Sequence, residues 1–191
     1  MSALLVAFAV VLLAEMGDKS QLVALSLASR FSPWVTFAAV ATASVVLHGL
    51  AATVGVALAQ AVSAHARRLV AGSLFLAFAA WTLWRAFRDS RRAYSTEDAI
   101  AVAPRRSVFV AIAVAFFVSE FGDKTQLAVA TLAATRNALS VWVGAVLGMV
   151  VADGLAIAAG AGLRRLLRPH VVALIAAGGF AITGVVLLAS A

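Results

Sequence analysis

A polar, charged eight-residue segment occurs twice in this chain, each time inside a long apolar run. The first copy reads Glu-Met-Gly-Asp-Lys-Ser-Gln-Leu and begins at Glu15, and the second reads Glu-Phe-Gly-Asp-Lys-Thr-Gln-Leu and begins at Glu120. At this shift of 105 residues, six of the eight positions are identical. Runs of alanine, valine and leucine align with one another by chance, whereas a charged octapeptide in apolar surroundings does not. The chain therefore contains two related halves.

The composition indicates that both copies lie in a lipid bilayer. Hydrophobic residues make up 64% of the 191 residues and charged residues 12%, whereas soluble domains have about 45–50% and about 25%. Such a chain cannot coat a water-soluble globule, which excludes a soluble enzyme and a nucleic-acid-binding module. The formal charge of +7 arises from arginines in the links between apolar runs, as is typical of membrane spans. Cysteine is absent, so disulfides and thiolate metal ligands are excluded.

Six apolar runs are long enough to cross a bilayer, because one helical crossing takes about 20 apolar residues. They predict an all-α, polytopic membrane protein with six transmembrane helices. Each half contains three of them, and an odd number of spans inverts the second half relative to the first, as in many secondary transporters. We therefore predict two inverted three-helix repeats, at 1–86 and 107–191, joined by a connector at 87–106. The predicted spans are 2–28, 35–60, 69–86, 107–134, 139–163 and 171–190.

Basic residues are distributed unequally between the two sides of these spans. The links between spans one and two, three and four, and five and six contain ten arginines, and the other two links contain three. Because lysine and arginine accumulate on the cytoplasmic side, we expect a multi-pass protein of the cell's inner (plasma) membrane. Its long connector is then cytoplasmic, and both termini lie outside. The first span has charged residues where a signal peptide has its apolar core, so we expect it to be retained.

The repeated segment has the chemistry of a cation site. Pairing the two copies about a pseudo-two-fold axis would bring four carboxylates to one locus near the midplane of the membrane. Amide and hydroxyl oxygens would complete a hard, all-oxygen site of the kind that suits Mn²⁺, Ca²⁺ or Mg²⁺. The predicted donors are the carboxylates of Glu15, Asp18, Glu120 and Asp123, the amides of Gln21 and Gln126, and the hydroxyls of Ser20 and Thr125.

The two lysines of the repeat have a simpler explanation. On a continuous helix Glu15, Asp18 and Lys19 share one face, and Glu15–Lys19 and Glu120–Lys124 have the i, i+4 spacing of a favourable ion pair. The glycine of each copy lowers the cost of unwinding the helix there. A charged group at the centre of a span costs about 2.5–3.5 kcal/mol, and ion pairs alone leave the two aspartates unexplained. Two surplus negative charges suit one divalent cation or two protons, which would compete for the same oxygens.

Two further polar residues lie deep in predicted spans. His48-Gly49-Leu50 aligns with Asp153-Gly154-Leu155 at the same shift of 105 residues. We predict that His48 and Asp153 are candidate proton-relay residues, and hydrogen-bonded packing is the alternative for the histidine. Gly144 and Gly148 form a G-x-x-x-G pair, which predicts a close helix contact.

The duplicated E-x-G-D-K-[ST] motif resembles the signature of the small cation/proton antiporters that carry two copies of it. The resemblance covers essentially the whole chain, and this sequence departs from the motif nowhere. Members of that family exchange Ca²⁺ or Mn²⁺ for protons in export or organelle loading, and the human Golgi member is linked to glycosylation defects. The resemblance implies that the four motif acids bind the cation and couple it to protons. It implies that Lys19, Ser20, Lys124 and Thr125 complete the motif, and it implies no resident cofactor.

The sequence thus predicts a secondary active transporter that exports Mn²⁺ and/or Ca²⁺ from the cytoplasm in exchange for protons. Its expected partners are the cation, protons and the lipid bilayer, with no nucleic acid, and the oligomeric state is open. A small-solute exporter of the amino-acid type is the alternative, because mixed lysine and aspartate could hold an ammonium and a carboxylate. The sequence has no hydrolase, metalloprotease or P-loop motif, which argues against an intramembrane enzyme and an ATP-driven pump. A membrane scaffold would keep its function without the motif acids.

Overall fold

The computed structural model describes residues 2–16, 18–88, 105–166 and 169–191. Its regular secondary structure there is entirely α-helical, which confirms the all-α prediction. Most of the predicted connector lies outside the described residues. The described part of the chain forms eight helices: α1 (Ala3–Glu15), α2 (Lys19–Arg30), α3 (Pro33–Ala61), α4 (Ala64–Arg88), α5 (Arg105–Glu120), α6 (Lys124–Thr135), α7 (Ala138–Leu166) and α8 (Pro169–Ala189).

The two runs that contain the repeated segment are broken helices. Each break starts after the motif glutamate and ends before the motif lysine, so α1 and α2 share the first predicted span and α5 and α6 share the fourth. In the second break Gly122 has a φ of 79°, a left-handed conformation that glycine adopts without steric cost. Its counterpart Gly17 lies outside the described residues. Hydropathy predicts the length of an apolar run, and it does not report whether the helix is continuous.

Several helices have the length and apolar composition of membrane spans. Within the described residues, three segments are long and apolar enough to cross a bilayer, and they coincide with the second, third and fifth predicted spans. These segments are Pro33–Ala61, Ala64–Trp84 and Ala138–Ala158. Shorter apolar helices cover Ala3–Glu15, Val108–Glu120 and Ala177–Ala189.

The duplication extends to the boundaries of the helices. At the shift of 105 residues, α2 and α6 begin and end at equivalent positions, and so do α3 and α7. Helices α1 and α5 end at equivalent residues, and α4 and α8 begin at equivalent residues. The two halves therefore share their helix pattern as well as their motif.

The halves pack against each other in equivalent pairs. Helix α1 contacts α7 while its counterpart α5 contacts α3, and the equivalent helices α3 and α7, and α4 and α8, contact one another. A Cβ placed on Gly49 would lie 3.5 Å from Trp142 Nε1. One placed on Gly154, the counterpart of Gly49, would lie 3.0 Å from the ring of Phe37, the counterpart of Trp142. The motif helix of each half thus packs against a helix of the other half, and the two motif breaks lie side by side.

Small residues bring the helix backbones close together. A Cβ placed on Gly144 would collide with the carbonyl oxygen of Leu4, and one on Gly148 would lie 2.7 Å from that of Phe8. The predicted close contact of the G-x-x-x-G pair is therefore confirmed, and it joins α7 to α1. Small residues at such contacts allow tight packing of membrane helices.

Candidate cation site

Three carboxylates from the two breaks meet inside the helix bundle. Glu15 is the last residue of α1, and Glu120 is the last residue of α5. Both side chains are buried, at 0% and 4% exposed. Asp123 lies directly before α6. One oxygen from each of Glu15, Glu120 and Asp123 lies within 4.8 Å of the other two. We call these three residues the carboxylate cluster.

Polar groups of the repeat hold parts of this cluster in place. Ser20 Oγ donates a hydrogen bond to Glu15 Oε2. Gln126 Nε2 donates to the main-chain oxygen of Glu120 at 3.0 Å, a carbonyl at the end of α5, where helical carbonyls lack helical partners. Gln21 Nε2 donates to the main-chain oxygen of Ala152 at 2.9 Å, which ties α2 to α7. Ser20 and Gln126 therefore hold the Glu15 side chain and the end of α5 in place, and Gln21 fixes α2 against α7.

Two oxygens of the cluster lack hydrogen-bond donors among the described residues. Glu15 Oε1 and Glu120 Oε2 are buried and have no hydrogen-bond partner in the described structure. Thr125 is buried at the start of α6. A buried carboxylate oxygen without a donor is unfavourable. A cation or a proton satisfies such an oxygen.

The fourth motif acid has a different environment from the one expected. Asp18 accepts an ion-paired hydrogen bond from Lys124, which belongs to the other half. The expected pair between Glu120 and Lys124 was therefore wrong, because the break removes the i, i+4 geometry that a continuous helix would give them. Glu15, Asp18 and Lys19 likewise do not share one helix face, because α1 ends at Glu15 and α2 begins at Lys19. The Lys19 side chain lies outside the described structure. Asp18 stays close enough for its charge to act on Glu15.

The two deep polar residues of the second and fifth predicted spans are both fully buried. Asp153 is 0% exposed, and neither of its carboxylate oxygens has a hydrogen-bond partner among the described residues. The charge of Glu15 acts on Asp153, although the two residues are far apart in sequence. His48 Nδ1 lies 2.9 Å from the main-chain oxygen of Ser44 on its own helix. Sequence reasoning singled out both residues but missed the proximity of Asp153 to Glu15. The aligned His48 and Asp153 triplets mark the two residues as equivalent, but they do not indicate which residues lie near either of them.

The arrangement offers the oxygen donors that a hard cation would need. The cluster contributes carboxylate oxygens, the Ser20 hydroxyl is bonded to Glu15, and Lys124 compensates Asp18. Hard oxygen donors of this kind suit Mn²⁺, Ca²⁺ and Mg²⁺. Buried carboxylate oxygens without hydrogen-bond partners therefore lie at the points where two helices of the bundle are broken.

A comparison with known families matches nearly the whole chain, including both copies of the motif. The family model described as "Divalent cation/proton antiporter GDT1" matches residues 3–90 and 108–191. The chain belongs to the GDT1 family. This membership confirms the resemblance drawn from the duplicated motif, and it makes the protein a membrane transporter of divalent cations and protons rather than an enzyme.

Related GDT1 proteins come from bacteria and plants. A Vibrio cholerae protein named "Putative manganese exporter" is 41% identical over 156 residues, covering 80% of this chain and 74% of the relative. GDT1-like protein sll0615 of Synechocystis is 32% identical, covering 76% and 77%. GDT1-like protein 5 of Arabidopsis thaliana is 27% identical, covering 93% and 91%. No solved structure matches the chain.

Proposed function

We propose that this GDT1 protein exports Mn²⁺ and/or Ca²⁺ from the cytoplasm in exchange for protons. The observation that carries the proposal is the buried carboxylate cluster of Glu15, Glu120 and Asp123 at two adjoining helix breaks. Mn²⁺ is favoured by the relative named as a manganese exporter, which is 41% identical. Ca²⁺ stays a candidate because it takes the same oxygen ligands.

The dimensions of the cluster support cation binding. Two oxygens on opposite sides of one ion are separated by about twice the metal–oxygen distance, which is about 4.6–5.2 Å for Ca²⁺ and about 4.0–4.2 Å for Mg²⁺. The three cluster oxygens lie within 4.8 Å of one another. The cluster is therefore close to the size that one ion needs, with the Ser20 hydroxyl bonded to Glu15 and with Asp18 close by.

Competition between the cation and protons would couple their movements. The unpartnered oxygens of Glu15 and Glu120 are buried, so each is stabilised by a positive charge, whether that of a metal ion or that of a proton. An ion leaving the cluster favours proton binding, and proton release favours the return of an ion. Exchange then follows from two ligands sharing the same oxygens.

We further propose that six spans form two inverted three-helix repeats. In this arrangement α1 with α2, and α5 with α6, each form one broken span. The equivalent helix boundaries and the exchanged packing partners of the two halves support it. Broken helices that meet near the membrane midplane are also typical of the ion sites of secondary transporters. The arginine distribution supports a cytoplasmic 87–106 connector and outward-facing termini.

A flux assay tests the proposed function. Purified protein in liposomes is given an imposed pH gradient, and Mn²⁺, Ca²⁺ and Mg²⁺ are each followed together with internal pH. We expect Mn²⁺ or Ca²⁺ flux that depends on the gradient and that moves protons in the opposite direction. Flux without proton movement contradicts the exchange. Gradient-driven transport of an amino acid, with no movement of any of these cations, supports the small-solute exporter instead.

A further inference from the structure

Asp153 is a buried acid that the motif does not contain. It lies on α7, one residue after Ala152, whose main-chain oxygen accepts the hydrogen bond from Gln21 on α2. The side chain is 0% exposed, and both of its carboxylate oxygens are without a donor in the described structure. A charged carboxylate in such surroundings is costly unless it is paired with a positive charge or takes up a proton.

Among the residues that the structure describes, the charged group that acts on Asp153 is another acid. Glu15 acts on Asp153 electrostatically, and Asp153 in turn acts on Glu120. Glu15 Oε1 is itself buried and unpartnered. Lys124, the lysine at the cluster, is bound to Asp18. Glu15 and Asp153 together have three buried oxygens that lack a hydrogen-bond partner in the described structure, and a cation could satisfy them.

We propose that Asp153 is a cation-binding residue, which forms a second station for the transported ion and shares Glu15 with the carboxylate cluster. This inference rests on the proposed function, because the ligand is the same divalent cation. An ion that enters between Asp153 and Glu15 satisfies oxygens on both side chains. It then needs only to exchange Asp153 for Glu120 and Asp123 to reach the cluster.

The second station is present in one half only. The residue equivalent to Asp153 in the first half is His48, whose Nδ1 contacts the main chain of its own helix. A neutral imidazole with one nitrogen engaged in this way is a poorer ligand for a hard cation than a carboxylate is. The path of the ion is therefore unequal on the two sides of the cluster, although the motif is symmetric.

Mn²⁺ binding to the purified full-length chain tests the role of Asp153. Binding is followed through the EPR signal of free Mn²⁺, and thermal unfolding is recorded for each variant. We expect Asp153→Asn to weaken Mn²⁺ binding by about tenfold or more, the size of effect found for residues around metal ligands. The control is Ser44→Ala on α3, a helix that packs against α7. It removes a buried hydroxyl that donates to the main-chain oxygen of Val40 within α3 itself. It should bind Mn²⁺ as the wild type does.

The outcomes separate this inference from the proposed function. Wild-type affinity in Asp153→Asn overturns the second station, and a simultaneous loss of pH-driven flux would assign Asp153 to the proton instead. Wild-type protein that binds neither Mn²⁺ nor Ca²⁺ overturns the proposed function and this inference together. If Asp153→Asn does not fold, Asp153→Glu keeps the charge and moves it by one methylene. We then expect a changed ratio of Mn²⁺ to Ca²⁺ affinity, and an unchanged ratio contradicts the proposal.

Discussion

At the scale of single residues, the motif acids divide into two kinds. Glu15, Glu120 and Asp123 form the carboxylate cluster, whereas Asp18 is bound by Lys124 from the other half. The first kind has oxygens available to an ion, and the second already has a positive partner. This division leads to different expectations for substitutions that change a single carboxylate to an amide.

Neutralising any member of the cluster should abolish cation-coupled proton movement. Glu15→Gln, Glu120→Gln and Asp123→Asn each keep the size of the side chain and remove the charge that holds the ion. We expect Mn²⁺-driven proton flux in liposomes to fall to background while the proteins still insert and purify. Ser119→Ala is the matched control, since Ser119 adjoins Glu120 but donates to the Phe116 carbonyl on its own helix. Full flux in two of the three amide variants would show that the cluster is not the site.

The ion pair between the halves should stabilise the fold through Lys124. Lys124 and Asp18 have side chains that are 16% and 14% exposed, so Lys124→Met leaves Asp18 in a mostly buried place without this lysine. We expect a loss of about 1–3 kcal/mol of stability, between the values for exposed and buried pairs. Thermal unfolding in detergent measures it. The double variant Lys124→Met/Asp18→Asn should recover much of the loss, and strictly additive effects would contradict a direct pairing.

The sequence predicts the identity of the site residues better than their contacts. A charged octapeptide that recurs in apolar surroundings is sufficient to select Glu15 and Glu120. The partner of Lys124 could not be predicted from spacing, because the i, i+4 rule assumes a continuous helix and the chain breaks there. The electrostatic interaction of Asp153 with Glu15 could not be predicted either, since it depends on how α7 packs beside α1 and α2.

At the scale of helices, the breaks explain how the cluster forms. A continuous helix satisfies its own main chain, whereas α5 ends at Glu120 and leaves a carbonyl that Gln126 uses. The turn between α5 and α6 contains Gly122 at a φ of 79°. Six apolar runs can be read from hydropathy, but the breaks within two of them depend on local backbone geometry. The glycine in each copy of the motif was the sequence signal for these breaks.

Replacing Gly122, the glycine of the second break, should strain the backbone without causing a steric clash. A Cβ at Gly122 meets nothing within 4 Å, so Gly122→Ala adds only the cost of a left-handed backbone, about 1–2 kcal/mol. We expect lower thermal stability and slower Mn²⁺ flux, because Glu120 and Asp123 flank the turn. Gly122→Asn should be milder, since asparagine tolerates this conformation better than alanine does. Equal effects of alanine and asparagine would argue against a conformational cause.

At the scale of the whole molecule, the duplication predicts on which face of the membrane equivalent residues of the two halves lie. Helix α3 begins after Ser32, and its counterpart α7 begins after Asn137. These two residues are equivalent at the shift of 105 residues, and both are exposed. If the halves are inverted, equivalent positions lie on opposite faces of the membrane, whereas a parallel duplication places them on the same face. The arginine distribution predicts which face is cytoplasmic.

Single cysteines can test inversion and orientation together, because the chain has no cysteine of its own. We expect Asn137→Cys to react with a membrane-impermeant thiol reagent in intact cells, and Ser32→Cys to react only after lysis. Ser63→Cys, at the other end of α3 from Ser32, should react in intact cells because a helix of 29 residues spans about 44 Å. Labelling of Ser32→Cys and Asn137→Cys under the same condition would contradict inversion. If Ser32→Cys reacts in intact cells and the other two variants react only after lysis, the repeat is still inverted but its orientation is reversed. The arginine distribution would then no longer support export from the cytoplasm.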